Sequence, residues 1–317
     1  MWMSMMHEAT FDEQYQALRS GCGVVELRDW SSIVVTGADR QKFLNSFCTN
    51  DDSRLAVGNS CEAFFLNVKG KIVGHGIVSC RENKLVIVGT PGQAAKLIEH
   101  LDRYVIREDV QLHDATTERS YVLIAGGPAT DGVLNKVAEL ASVSVVTIPA
   151  PLIGSATEAI CEVASGDLLR LQKALADSGV VAANDAFQAA RIEAGVPFFH
   201  VDFDEYNLPQ EVGRDKEAIS FTKGCYLGQE TVARIDALGH VNQRIVSVRF
   251  FREETPALGN ELSHNGGAVG RVTSAAFSPA LNAPLALAMI RREANTLGTR
   301  LTSPAGECEV VATALGR

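Results

Sequence analysis

The sequence predicts an α+β protein of more than one lobe that ends in a small β-barrel. Three observations carry that expectation. The chain has 317 residues, enough for two or three domains. Its helical stretches are interleaved with hairpins instead of alternating strictly with strands. After residue 241, short apolar runs are separated by glycine-rich turns, the pattern of a small barrel. A hydrophobic fraction of 46% with 21% charged residues is that of a globular protein and argues against disorder.

In chain order, Phe11, Tyr15 and Leu18 share one helical stripe over residues 11–20, which Gly21 and Gly23 end. Residues 32–36 read as a strand, and Asp39 as the cap of a helix with Phe43, Leu44 and Phe47 on its apolar side. Residues 62–68 and 71–79 form a hairpin around Gly70, residues 85–88 add a strand, and Pro91-Gly92 opens a helix to about Leu101. From Tyr121 a β-α-β-β-α pattern begins: strand 121–125, a helix with Val133 and Val137, strands 143–148 and 159–163, and helix 167–175. A helix over 185–194 stops at Gly195-Val196-Pro197, and 197–218 reads as an irregular acidic loop. Strands at 245–250, 270–274, 285–290 and 309–313 make the barrel. The expected division is an α+β region over 1–240, in two intertwined lobes that divide near 115–120, and a barrel over 241–317. The second lobe covers about 120–178, with a return segment over 180–240.

A net charge of −9 and a pI near 5.3 oppose broad binding to nucleic acid phosphates or anionic lipid. No apolar run approaches the ~20 residues of a membrane helix, and the opening Met1-Trp2-Met3-Ser4-Met5-Met6 lacks a basic flank, so no export signal is expected. Seven scattered cysteines, never in a C-x₂-C arrangement, suggest reduced thiols in a cytoplasmic protein and no metal site.

One stretch looks like a site: Lys223-Gly224-Cys225-Tyr226-Leu227-Gly228-Gln229-Glu230. Good helix formers follow from Gln229, so Cys225 is expected just before a helix, where free backbone N–H groups and Lys223 would favour thiolate. The same features also describe a small buried cysteine at a tight loop.

Over these eight positions the chain resembles the signature of the YgfZ-type folate-binding proteins. The resemblance extends through Gly37-Ala38-Asp39, Thr49-Asn50-Asp51 and Arg191-Ile192-Glu193-Ala194-Gly195. That family is related to the aminomethyltransferase (T-protein) of the glycine cleavage system. The resemblance implies an aminomethyltransferase-like multi-lobe fold that binds tetrahydrofolate or a one-carbon derivative. It further implies a role in assembling or repairing iron–sulfur clusters in client enzymes, with those enzymes or assembly proteins as partners and Cys225 as the functional thiol.

A pterin offers adjacent N–H donors that suit one carboxylate, and the resemblance to the transferases' Arg-x-Glu-x-Gly segment points to Glu193. Lys69, Lys71 and Lys223 are candidates for the anionic folate tail, and Tyr226, Gln229 and Asn50 for ring contacts. Arg191 is expected to anchor the acidic loop instead. The chain departs from the transferases in one place: where their hairpin resembles Gly-x-Ile-x-Asp-Asp, with the second aspartate catalytic, this sequence has Gly74-His75. A rival reading is a tetrahydrofolate-dependent one-carbon transferase in which His75, or an acid between Asp202 and Glu211, replaces that aspartate.

Overall fold

A computed structural model of the chain describes residues 9–140, 143–147, 152–178 and 181–313. The apolar opening Met1–Met6 and the expected strand end at Ile148 lie outside the described residues. The chain begins with α1 (Phe11–Arg19), whose N-terminus is closed by a reciprocal capping box between Thr10 and Glu13. It then runs β1 (Cys22–Leu27), β2 (Ser31–Thr36), α2 (Arg40–Asn45), the hairpin β3 (Ser60–Leu66) and β4 (Ile72–Cys80), β5 (Leu85–Gly89), α3 (Ala94–Asp102) and β6 (Gln111–Asp114). Next come β7 (Arg119–Gly126), α4 (Ala129–Ala138), β8 (Val143–Thr147), β9 (Thr157–Ala164), α5 (Leu168–Asp177), β10 (Val181–Ala182) and α6 (Asn184–Glu193).

These strands form two sheets, in the orders β3-β4-β5-β2-β6 and β10-β1-β7-β9-β8. The second contains β1, which precedes every strand of the first, so the chain leaves one lobe, builds the other and returns. Val24 of β1 pairs with Ile124 of β7 on one side and with Ala182 of β10 on the other. The expectation had no strand at 22–27, because its few residues adjoin the glycines that end α1. Strand β1 is held by neighbours about 100 and 160 residues away.

Two expectations are corrected. Asp39 stands at the N-cap position of α2 but makes no cap bond, and its Oδ2 instead accepts the Asp109 N–H at 2.9 Å. The stretch 197–218 is not irregular throughout: it contains the short helices α7 (Pro209–Val212) and α8 (Asp215–Ala218). Pro209 suits the first turn of α7, and Gly213 ends it with a left-handed backbone.

After α9 (Gln229–Leu238) the chain closes a barrel, in the order β11-β14-β13-β12-β15-β16. Its strands are β11 (Gln243–Phe250), β12 (Glu261–His264), β13 (Gly267–Ser278), β14 (Ala283–Arg291), β15 (Arg300–Ser303) and β16 (Gly306–Val311). Strands β12 and β15, four residues each, escape the periodicity reading.

An apolar cluster joins the parts. Phe64, Leu66 and Ile72 of the hairpin pack with Phe199, Phe203, Val212 and Tyr226 of the return segment and with Ile245, Leu285 and Leu287 of the barrel. Tyr226, the aromatic of the cysteine motif, is thus part of the core that fixes hairpin, motif and barrel together.

Candidate functional site

Residues 223–228 of the motif form a loop between α8 and α9 that is stitched to residues 45–50. Lys223 is largely buried, and its Nζ donates to three carbonyl oxygens: Asn45 at 2.7 Å, Cys48 at 2.9 Å and Asn50 at 2.6 Å. These are the carbonyls at and just beyond the C-terminus of α2, where a cation is favoured. The same Nζ lies 5.2 Å from the centre of the Tyr226 ring. Backbone bonds from Ser220 N–H to Thr49 O and from Leu227 N–H to Ser46 O complete the seam.

The surroundings expected to act on Cys225 are placed as follows. The three N–H donors of Lys223 are occupied by carbonyls, and helix α9 begins at Gln229, four residues after the thiol. Exposure is what distinguishes Cys225. Cys22 is half-buried, and Cys48, Cys61, Cys80, Cys161 and Cys308 are buried, whereas Cys225 is open to solvent. Burial pushes the thiols of Cys61, Cys161 and Cys308 up to about 12.

Gly228 has a steric reason to be glycine. Its φ is +82°, and a Cβ there would stand 2.7 Å from Asn67 O and 3.1 Å from Gly70 Cα, at the hairpin turn. Gly224 has no positive φ, and a Cβ placed on it would meet nothing within 4 Å, so neither backbone conformation nor packing requires glycine there.

The other candidates fall on this seam or beside it. Asn50 donates its side-chain amide to Glu62 O at 2.8 Å and Glu217 O at 2.9 Å, so it ties the hairpin to α8. Lys69 is exposed at the hairpin tip, and its carbonyl accepts the Thr231 hydroxyl of α9. Lys71 donates from Nζ to Tyr206 O at 2.7 Å. Gln229 is half-buried at the start of α9, its N–H bonded to Tyr226 O at 3.2 Å.

A buried ionic group lies on the hairpin itself. Glu62 accepts from His75 Nε2 at 2.8 Å and from Arg214 Nε at 2.9 Å, and Arg214 Nη2 closes a second bond to its other oxygen. Burial would raise the Glu62 carboxyl, but Arg214 and His75 outweigh it and hold it at about 2. The His75 ring also lies 4.7 Å from Phe64 and 5.5 Å from Phe203, centre to centre. Close by in sequence, Asp52 is fully buried with one oxygen unpartnered, and burial, opposed by Lys223, lifts its carboxyl to about 7. Sequence reasoning missed Glu62, Arg214 and Asp52. No local signal marks the pair Glu62 and Arg214, which stand 152 positions apart.

Glu193 is not with the motif. It is fully buried, and its carboxylate is filled by the chain's own donors: Tyr15 Oη at 2.7 Å and Arg19 Nη2 at 2.5 Å on one oxygen, Ser278 Oγ at 2.5 Å and Ala280 N at 3.1 Å on the other. Two donors per oxygen use all the acceptor sites of a carboxylate. The residues around Glu193 therefore do not fit a pterin as they stand, because its N–H edge would find no free lone pair. Arg191, two positions earlier, does anchor the acidic loop, through Asp202 at 2.9 Å, and also reaches Ser274 Oγ at 2.6 Å in the barrel.

Comparison with known proteins accords with this architecture. Residues 3–164 match the family described as the GCVT N-terminal domain, and residues 243–316 match the glycine cleavage T-protein C-terminal barrel domain. The chain belongs to the glycine cleavage T-protein family. Members of this family use tetrahydrofolate. Among its relatives, an aminomethyltransferase of Thermosipho melanesiensis is 26% identical over 88% of this chain and 81% of its own length. The tRNA-modifying protein YgfZ of Yersinia enterocolitica is 26% identical over 80% of this chain and 79% of its own. The crystal structure of the glycine cleavage system aminomethyltransferase T from Bartonella henselae superposes with a TM-score of 0.83 at 18% identity, covering 98% of this chain and 90% of that one, a likeness of fold. Among the described residues, no helix is long and apolar enough to cross a membrane, and no cluster of His, Cys, Asp and Glu suits a metal ion.

Proposed function

We propose that this T-protein relative is a tetrahydrofolate-binding accessory protein that presents the Cys225 thiol to partners in the assembly or repair of iron–sulfur clusters, in the cytoplasm. The observation that carries the reading is the pairing of an exposed thiol with an anchored loop: Cys225 is open to solvent while Lys223 and Tyr226, two residues before it and one after, are buried. Such a loop delivers a nucleophilic or ligating sulfur to a partner at little cost in ordering. The folate part rests on the family and the motif, since the Glu193 carboxylate is already filled.

Two features favour this reading over one-carbon transfer. His75, at the position of the transferases' catalytic aspartate by resemblance, is bound to Glu62 in a buried ionic group. The acids offered as substitutes have other duties: Asp202 holds Arg191, the Phe198 N–H and Thr273, Asp204 accepts the Tyr206 N–H, Glu205 pairs with Lys96, and Glu211 accepts from Asn207. The acidic net charge also opposes a direct grip on tRNA phosphates.

The test is calorimetric titration of the purified protein with tetrahydrofolate and 5,10-methylene-tetrahydrofolate, alongside complementation of a deletion strain by Cys225→Ser. Saturable folate binding without one-carbon turnover, and loss of iron–sulfur enzyme activity in the serine variant, are expected. Release of a transferred one-carbon unit, or full complementation by the serine variant, would overturn the reading.

A further inference from the structure

Under the seam that fastens the Cys225 loop lies a carboxyl short of donors. Asp52 is fully buried, its Oδ2 has no hydrogen-bond partner among the described residues, and its Oδ1 has the Cys48 thiol at 3.7 Å. The one thiol hydrogen also has Asn50 O to serve, at 3.2 Å. The same sulfur lies 3.7 Å from Lys223 Nζ, so a single atom stands between the ammonium and the carboxyl. Lys223 has no hydrogen to spare for Asp52: an ammonium carries three, and the carbonyls of Asn45, Cys48 and Asn50 take them.

The seam as it stands therefore suits a neutral Asp52. Burial lifts this carboxyl to about 7, against Lys223, its own backbone N–H and the Cys48 thiol, and Asp51 adds to the rise. Of the other titratable groups nearby, Asp51 is engaged with Ser53 and Arg54, Cys61 of β3 is buried with its thiol pushed up to about 12, and Glu62 is spent on Arg214 and His75. An ionised Asp52 would need donors, because an unpaired buried carboxylate is costly. It has two sources: Lys223, which must leave a carbonyl of the seam, or water, which must enter beneath the loop. Either one undoes part of what holds Cys225 in place. Helix α9, which follows the loop, buries only Val232 and resists such loosening little.

We propose that the Cys225 loop is a proton-linked latch, fastened while Asp52 is neutral and loosened when Asp52 ionises and competes with the seam carbonyls for the Lys223 ammonium or draws in water. This rests on the reading of that loop as the element that presents the thiol, and adds its regulation. A carboxyl raised to about 7 in the fastened state, against an ordinary 3.8, favours fastening below 3.8, and that contribution is lost as pH rises through 7. Cys225 is thus offered in one fixed geometry on the acid side of neutrality and on a looser loop above it.

The test is amide hydrogen exchange, read by NMR on the full-length ¹⁵N-labelled protein from pH 5 to 8 and divided by the intrinsic rate at each pH. Ser220 and Leu227 report on the seam, since their N–H groups bond to Thr49 O and Ser46 O across it, and Val122 and Leu123 of β7 report on global unfolding. The opening constant at Ser220 and Leu227 should rise about tenfold or more between pH 5 and 7, level off above, and exceed that at Val122 and Leu123 throughout. In Asp52→Asn, which is neutral at every pH, the rise should vanish. In the parent protein the ¹³Cγ shift of Asp52 should titrate with the same midpoint as the seam, a measurement that needs no variant. A seam whose opening does not change with pH, a rise that persists in Asp52→Asn, seam and β7 amides that open together, or an Asp52 midpoint below 5 would overturn the latch. None of these readouts involves folate or an iron–sulfur enzyme, so the latch and the proposed function fail separately.

Discussion

The Nζ of Lys223 lies 2.6 Å from the carbonyl oxygen of Asn50, and that contact, repeated at Asn45 and Cys48, fastens the cysteine loop to the end of α2. Lys223→Met keeps the length of the stem but leaves three carbonyls without their cation. A loss of about 2–4 kcal/mol is expected, from unmade charge-assisted bonds. Urea denaturation measures it, and a midpoint equal to that of the parent would mean that the ammonium does not hold the loop.

Cys225 should react with iodoacetamide before the other six thiols near neutral pH, because it is exposed and they are half-buried or buried. Mass spectrometry of partly alkylated protein reads the order directly. Labelling of Cys22 ahead of Cys225 would show that the loop is covered in solution.

Stability should depend on pH through two carboxyls of opposite sense. Glu62, held at about 2 against an ordinary 4.5, contributes stability above 4.5 that is lost as pH falls through 2. Asp52, raised to about 7 from 3.8, contributes below 3.8, and that contribution is lost as pH rises through 7. Asp52→Asn should therefore flatten the decline between pH 4 and 8 and gain at pH 8, by at most on the order of 4 kcal/mol. Urea midpoints at pH 4.5, 6 and 8 check the sign, and a variant that tracks the parent across this range would rule out a neutral Asp52.

Glu193→Ala should unfold more readily by roughly 3 kcal/mol, because Arg19 loses its carboxylate while Tyr15, Ser278 and the Ala280 N–H lose an acceptor. Thermal melting compared with folate titration separates the roles: a large loss of stability with little change in affinity marks Glu193 as a clasp between α1, α6 and the β13–β14 turn. The reverse pattern would return it to the folate site.

His75→Asp should not create an aminomethyltransferase. The new carboxylate would face Glu62, which His75 now satisfies at 2.8 Å, so like charges would meet in a buried group. A folded variant with turnover in a one-carbon transfer assay would show that the hairpin is otherwise ready for catalysis.

Much of the architecture was legible locally. The stripe of Phe11, Tyr15 and Leu18, the hairpin around Gly70 and the Pro91-Gly92 opening each announce an element, because periodicity and turn chemistry act within a few residues. The eight-residue motif likewise singled out the one exposed cysteine. Local reading therefore reached most of the elements, the α+β class with its terminal barrel, and the loop that bears the thiol.

How the charges are spent became visible only once the chain was packed. Lys223 stands two positions from Cys225, yet its ammonium serves carbonyls about 175 residues earlier. Glu193 looks free in sequence and is filled by donors from α1 and the barrel, while Glu62 finds Arg214 across 152 positions. Strand β1 exists because β7 and β10 flank it. A buried charge or a lone strand takes whichever partner the packed chain brings within hydrogen-bonding reach, and proximity along the chain carries no information about that partner.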